Sequence, residues 1–167
     1  MSLFRPTLYK DKLSDLDVGE LKLLFVKGLL LDVDNTLARH FDKEPFDEIP
    51  EYLKRLKASG IKLIIVSNAR ESRVAPFAKS LDLPFEFLCK KPLLFGVKRA
   101  MKTLGLQKNE IMLCGDQLFT DILCGNLYGI KTLLVSPRHK EKSFIFKIKR
   151  VLEKPFLKKY QKMKESK

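Results

Sequence analysis

The sequence has no pair of cysteines at the spacing of a metal clamp or redox motif: Cys89, Cys114 and Cys124 are odd in number and form no CxxC. This excludes a disulfide framework, argues against a zinc site and points to a reducing, cytoplasmic setting. Long hydrophobic runs are also missing. Uninterrupted stretches such as Leu29 to Leu31 and Leu63 to Val66 fall far short of the roughly 20 residues needed to span a bilayer, so no transmembrane helix is expected. The N-terminus does not follow the basic, apolar, small-residue order of a secretory signal. No internal repeat and no low-complexity stretch precedes the C-terminal tail.

What is present is enough for one core. At 167 residues and 45% apolar, the chain suits a single domain and is too short for two ordinary ones. Its formal charge of +13 is unevenly placed, since residues 139–167 hold 11 Lys/Arg against 3 Asp/Glu. We therefore divide the chain into a core over 1–138, with 1–22 as a lead-in, and a basic helical tail over 139–167. In the tail, Phe144, Ile148, Val151 and Leu152 recur at helical spacing among basic residues, which predicts an amphipathic helix over 143–154 that Pro155 interrupts. Such a helix either packs its apolar side on the domain or lies in an anionic membrane interface.

Apolar runs alternate with helix-period segments along the core, the pattern of repeated strand-helix units around a parallel sheet. Leu23–Val33 barely alternates and reads as a first strand buried on both faces. Helices are expected over 49–59, around Val74–Leu81 with Pro76 in the first turn, over 93–104 closing at Gly105, and from about Thr120 to before Gly129. Further strands are expected over 61–66, 85–88, 111–114 and 130–135.

Polar clusters follow four of these runs: Asp32-Val33-Asp34-Asn35-Thr36, Ser67-Asn68, Lys90-Lys91-Pro92, and Gly115-Asp116 through Asp121. Strand ends in a parallel sheet share one edge, so the clusters converge on one crevice. There they supply the parts for moving a phosphoryl group. Asp32 could attack phosphorus, while Asp34, two residues on and on the same side of extended backbone, could protonate the leaving oxygen and later activate water. Ser67 and Asn68 could donate to phosphate oxygens, a fixed ammonium from Lys90 or Lys91 would offset negative charge, and Asp116 and Asp121 suit Mg²⁺. Each cluster alone has a plainer explanation as a turn, a helix cap or a solvated lysine. Their joint occurrence in this order overturns those explanations.

The ordered set resembles the haloacid dehalogenase (HAD) phosphatase superfamily over roughly Leu23 to Pro137. Leu31-Asp32-Val33-Asp34-Asn35-Thr36-Leu37 is similar to its first motif, Ser67 to the second, the Lys before Pro92 to the third, and Gly115-Asp116 through Asp121 to the fourth. The resemblance implies a Rossmann-like parallel sheet of five strands flanked by helices. It implies an aspartyl-phosphate on Asp32, with Asp34 as acid and base, Lys91 as the motif lysine, and Mg²⁺ held by Asp32, the Asp34 carbonyl and Asp116, with Asp121 as a further or alternative ligand. Only 32 positions separate Asp34 from Ser67, and 23 separate Ser67 from Lys91, so no cap domain fits in either interval. Capless members act on large substrates or borrow a neighbouring subunit as a lid, which admits an oligomer.

The string from Gly115 to Asn126, followed by Gly129 to Val135, resembles the YqeG-type branch of subfamily III (IIIA), itself similar to phosphatidylglycerophosphate phosphatases. That implies a phospholipid headgroup as substrate and a peripheral anionic membrane surface as partner through 139–167. Two alternatives stand beside it. One keeps the chemistry with a soluble substrate such as phosphoglycolate or a nucleic-acid 3′-phosphate. The other is a non-catalytic nucleic-acid or ribosome-associated module, against which Asp32, Asp34, Lys91 and Asp116 all weigh. Nucleic acid is the less favoured partner, because the aromatic residues of the tail match no RNA-binding motif.

Overall fold

Four leucine-rich and isoleucine-rich segments, too apolar to leave either face in water, form the centre of a wholly parallel sheet. In the computed structural model, which describes residues 3–139 together with Val151, Glu153 and Pro155, the strands are β1 (Leu8–Lys10), β2 (Gly28–Leu31), β3 (Lys62–Val66), β4 (Phe85–Glu86), β5 (Ile111–Gly115) and β6 (Lys131–Val135). They lie in the order β1-β6-β5-β2-β3-β4, all neighbours parallel. Helices α1 (Val18–Leu23), α2 (Ile49–Ala58), α3 (Glu71–Ser80), α4 (Phe95–Leu104) and α5 (Leu123–Tyr128) complete the core. On one face Leu29, Leu31, Leu63 and Ile65 pack with Leu53, Leu56, Val74 and Phe77 of α2 and α3. On the other, Leu30, Ile64 and Leu113 pack with Val97 and Ala100 of α4 and Cys124 of α5. Burial on both sides is why the strand sequences hardly alternate.

The sheet has six strands, not five. The extra one, β1, lies in the lead-in and is only half-buried, so its three residues carry no apolar run. It is tied to the far end of the chain: Leu8, Tyr9 and Lys10 pair with Leu133, Leu134 and Val135. Thr7 and Thr132 exchange backbone-to-hydroxyl hydrogen bonds of 3.1 and 3.0 Å.

The expected strand over Leu23–Val33 is also shorter. Its first residue belongs to α1, whose N-terminus is closed by a capping box, with Asp17 Oδ1 accepting from Gly19 N at 2.7 Å and Glu20 Oε2 accepting from Asp17 N at 3.1 Å. Leu23 and Phe25 are exposed, and a turn with Phe25 at φ +55° separates α1 from β2. Pro76 sits at the sixth position of α3, not in its first turn, because that helix starts earlier, directly after the Ser67 turn. In place of a simple helix from Thr120, a π-helical turn over Leu118–Ile122 precedes α5. Both Asp121 N and Ile122 N donate to Gln117 O, at 3.0 and 3.3 Å.

Most of the predicted tail helix over 143–154 lies outside the described residues. Val151, Glu153 and Pro155 have helical backbone, so Pro155, predicted to interrupt the helix, is itself helical. The buried Glu153 side chain accepts from Leu118 N at 2.8 Å. No helix among the described residues is long and apolar enough to cross a membrane.

Candidate active site

The carboxyl ends of β2, β3 and β5, adjacent in the sheet, deliver the predicted residues to one cleft. Asp32 continues the line of β2, its N–H donating to Cys114 O at 2.9 Å. The chain then turns sharply: Val33 O accepts from Thr36, Leu37 and Ala38, and Asn35, at φ +58°, donates its N–H to Ala38 O at 2.7 Å. Asparagine tolerates this left-handed conformation better than most residues. Ser67 follows β3 and is buried, and Asp116 follows β5 with no exposure. Asp121 arrives from the π-helical turn; Gly115 makes room for it, since a Cβ there would stand 2.3 Å from Asp121 Cγ.

Lys91 lies at the centre. Its ammonium donates at 2.6 Å to Asp32 Oδ1, at 2.6 Å to Asp121 Oδ1 and at 3.0 Å to Val66 O. Lys90, with φ +53°, is exposed. Asp32, Asp116 and Asp121 are all buried and each offers a carboxylate oxygen within 4.8 Å of the others. Burial pushes the Asp32 carboxyl up to about 7, opposed by Lys91 and reinforced by the charges of Asp121 and Asp34. For Lys91 burial works downward, yet the charges of Asp121 and Asp32, and hydrogen bonds to both, outweigh it and hold the amine protonated beyond the usual lysine range.

Three buried carboxylates converge on one point, an arrangement of anionic oxygens that a divalent cation would fit. The donors are hard oxygens only, the set that suits Mg²⁺. The residues present therefore fit the metal implied by the resemblance.

Asp34 stands apart from that triad. Its carboxylate is forked by Arg73, with Nη1 3.1 Å from Oδ2 and Nη2 on Oδ1. Phe41 N donates to Oδ1 at 3.3 Å, and His40 Nδ1 lies 3.3 Å from the same oxygen. The Asn68 amide is engaged by Lys91: Asn68 Oδ1 accepts from Lys91 N at 2.7 Å, and Asn68 Nδ2 donates to Lys91 O at 3.1 Å. Ser67 Oγ accepts from Ala69 N at 3.2 Å. The cleft, of about 420 Å³, is lined by Asp32, Asp34, Ser67, Lys91, Arg73 and Thr120, among others. Sequence reasoning missed Arg73 and His40; neither belongs to a local motif, and Arg73 meets Asp34 only because α3 folds back over the loop after β2.

A parallel α/β sheet with carboxylates, a hydroxyl and a buried ammonium at its carboxyl edge defines a phosphoryl-transfer enzyme. Residues 25–135 match the model of the haloacid dehalogenase-like hydrolases, and the chain belongs to that family, as a phosphatase. It is 34% identical over 154 residues to the probable phosphatase YqeG of Bacillus subtilis (strain 168), covering 92% of this chain and 90% of that protein. It is 28% identical over 156 residues to phosphatidylglycerophosphate phosphatase 1, chloroplastic/mitochondrial, of Arabidopsis thaliana; the match spans 87% of this chain but 44% of the plant protein. Among solved structures, the cobalt-bound deoxy-D-mannose-octulosonate 8-phosphate phosphatase of Haemophilus influenzae superposes with a TM-score of 0.52 at 17% identity, covering 69% of this chain and 81% of that one. The 3-deoxy-D-manno-octulosonate 8-phosphate phosphatase of Yersinia pestis gives 0.52 at 13%, covering 74% and 80%. At these identities the structures attest the fold.

Proposed function

We propose that this phosphatase is Mg²⁺-dependent, works through an aspartyl-phosphate on Asp32, and hydrolyses a phosphomonoester on a phospholipid headgroup, converting phosphatidylglycerophosphate to phosphatidylglycerol. The observation that carries the chemistry is the Lys91 ammonium bridging Asp32 and Asp121, 2.6 Å from each. Asp32 attacks phosphorus as the bond to the leaving oxygen breaks, and that oxygen takes a proton from Asp34. Water then attacks the acyl phosphate, giving its proton to Asp34 and restoring the Asp32 carboxylate. Lys91, charged throughout, offsets the negative charge of phosphate and nucleophile, Ser67 donates to a phosphate oxygen, and Asn68 holds the Lys91 backbone in place. Bound to Asp32, Asp116 and the Asp34 carbonyl, with Asp121 beside them, Mg²⁺ would screen the charge between nucleophile and phosphate.

The lipid substrate is supported by the likeness to the plant phosphatidylglycerophosphate phosphatase over 87% of this chain, by the absence of room for a cap domain, and by the basic charge of 139–167. Peripheral contact with anionic membrane through that tail is part of the proposal. A phosphate-release screen across lipid, sugar, nucleotide and small-acid phosphomonoesters, with Mg²⁺ and with EDTA, tests it. Phosphatidylglycerophosphate should give the highest kcat/KM; a soluble sugar or acid phosphate, or a nucleic-acid 3′-phosphate, in first place would replace this reading.

A further inference from the structure

Arg73 reaches out of α3 and spends both arms of its guanidinium on the two oxygens of Asp34. Its planar group lies over the ring of Phe41, 4.5 Å from the ring centre, so a cation-π contact and a bidentate ion pair fix it together. The side chain is 28% exposed, against 2% for Lys91. It is therefore held in place yet open to the cleft.

That position has two properties a merely structural ion pair would not need. First, Arg73 lines two adjoining cavities: the cleft that holds Asp32, Ser67 and Lys91, and a second of about 470 Å³ between the loop at 41–44 and α3, whose charged lining besides Arg73 is Asp42, Lys43 and Glu44. Second, the fork occupies both oxygens of the carboxylate that must face the leaving group. Asp34 can reach a leaving oxygen only after the guanidinium turns away, and a guanidinium leaves a bidentate carboxylate readily only for another planar or tetrahedral oxyanion. In the proposed mechanism Lys91 and Ser67 serve the reacting phosphoryl group. The replacement anion then belongs to the leaving group.

We propose that Arg73 is a specificity-determining residue: it exchanges Asp34 for a second anionic group carried by the leaving group, so the site selects phosphomonoesters whose alcohol bears its own phosphodiester or phosphate. This rests on the proposed phosphomonoester hydrolysis at this cleft and sharpens its substrate class. It requires two anions in the substrate but no acyl chains.

The test compares three substrates: glycerol 3-phosphate, with one anion; deacylated glycerophosphoglycerol phosphate, with a monoester and a diester; and the acylated compound in mixed micelles. In the wild-type protein the deacylated two-anion compound should exceed glycerol 3-phosphate in kcat/KM by at least about tenfold. Arg73→Gln should shrink that ratio at least about tenfold, and Arg73→Lys, which keeps charge but not the fork, should fall between. A wild-type ratio near one overturns the proposal without any variant. So does an unchanged ratio in a folded Arg73→Gln, which would mean that Arg73 serves every phosphomonoester equally. Should Arg73→Gln fail to fold, the wild-type comparison is joined by inhibition with glycerophosphoglycerol, which should compete at a concentration at least about tenfold below glycerol; equal inhibition overturns the proposal. The acylated arm separates the two readings. No gain from acylation sinks the phospholipid substrate and leaves Arg73 its role, whereas a large gain with an unchanged Arg73→Gln ratio does the reverse.

Discussion

Asn68 and Lys91 are joined by a reciprocal pair of hydrogen bonds, the amide oxygen of Asn68 receiving the Lys91 N–H at 2.7 Å and the amide nitrogen giving to the Lys91 carbonyl at 3.1 Å. The clasp ties the loop after β4 to the loop after β3, across 23 positions of sequence. It fixes the Lys91 backbone, and the side chain is then directed inward to Asp32 and Asp121.

Lys91 and its exposed neighbour should therefore behave as opposites. Lys91→Ala leaves Asp32 and Asp121 buried without their ammonium, a loss of about 3–5 kcal/mol of stability by the usual cost of breaking a buried pair. Lys90→Ala should stay within about 0.5 kcal/mol. Denaturant melts and phosphate release on both variants check this; a larger loss of turnover in Lys90→Ala would exchange their roles.

Asp32→Asn keeps the shape of the side chain and removes the attacking charge. Turnover should disappear while circular dichroism and melting cooperativity stay native, because Lys91 still has Asp121 as partner. Measurable phosphate release from a folded Asp32→Asn protein would exclude covalent attack by this residue. Asp34→Asn should come close to the same loss.

The buried carboxylates also predict a link between pH, metal and stability. The Asp32 carboxyl is raised to about 7 in the folded protein from an ordinary value near 3.8. Folded protein thus binds more protons than unfolded between those values, and without metal this group costs stability as pH rises from about 4 to 7. With EDTA, the melting temperature of Asp32→Asn should gain on the wild type over that range. Mg²⁺ should displace the proton, raising the wild-type melting temperature more at pH 8 than at pH 5, and should restore activity lost to EDTA. Ca²⁺, with its larger and looser oxygen shell, should inhibit. A wild-type melting temperature that ignores Mg²⁺ at pH 8 would count against the site.

Much of this was legible in the sequence, for a physical reason. Asp32, Ser67, Lys91, Asp116 and Asp121 each end or follow an apolar strand segment, and in a parallel sheet that alone sends them to one edge. Gly105 announces the end of α4 because only a left-handed residue, here at φ +64°, closes it. The partners of Asp34 were not legible. Arg73 lies 39 positions away and on a helix whose start is set by the Ser67 turn. Strand β1 was hidden because its three half-buried residues gain their place from β6 and not from an apolar pattern of their own. The π-helical turn was hidden because its sequence, Leu118 to Ile122, is equally good α-helix; packing Asp121 against Gly115 and Lys91 selects the wider turn.

The three cysteines offer a last check on the packing. Burial pushes the Cys89 thiol up to about 11 and that of Cys124 up to about 12, and raises Cys114 still further with help from the charge of Asp121. None forms thiolate near neutral pH, so alkylation at pH 8 should be negligible in native protein and stoichiometric at all three after denaturation. Rapid native labelling of Cys114, at the end of the central β5, would contradict the packing described.

The pairing of β1 with β6 also orders events during synthesis. Among the described residues β1 pairs with no strand but β6, at residues 131–135, so once made it waits for more than 120 residues of chain. At about 5–20 residues per second that is roughly 6–25 s. Meanwhile β2, β3 and β4, with the helices between them, can dock on one another as each emerges, and β5 joins β2 later. Strand β1 is therefore made well before it can be seated, and until it docks the outer edge of β6 is a bare row of backbone donors and acceptors.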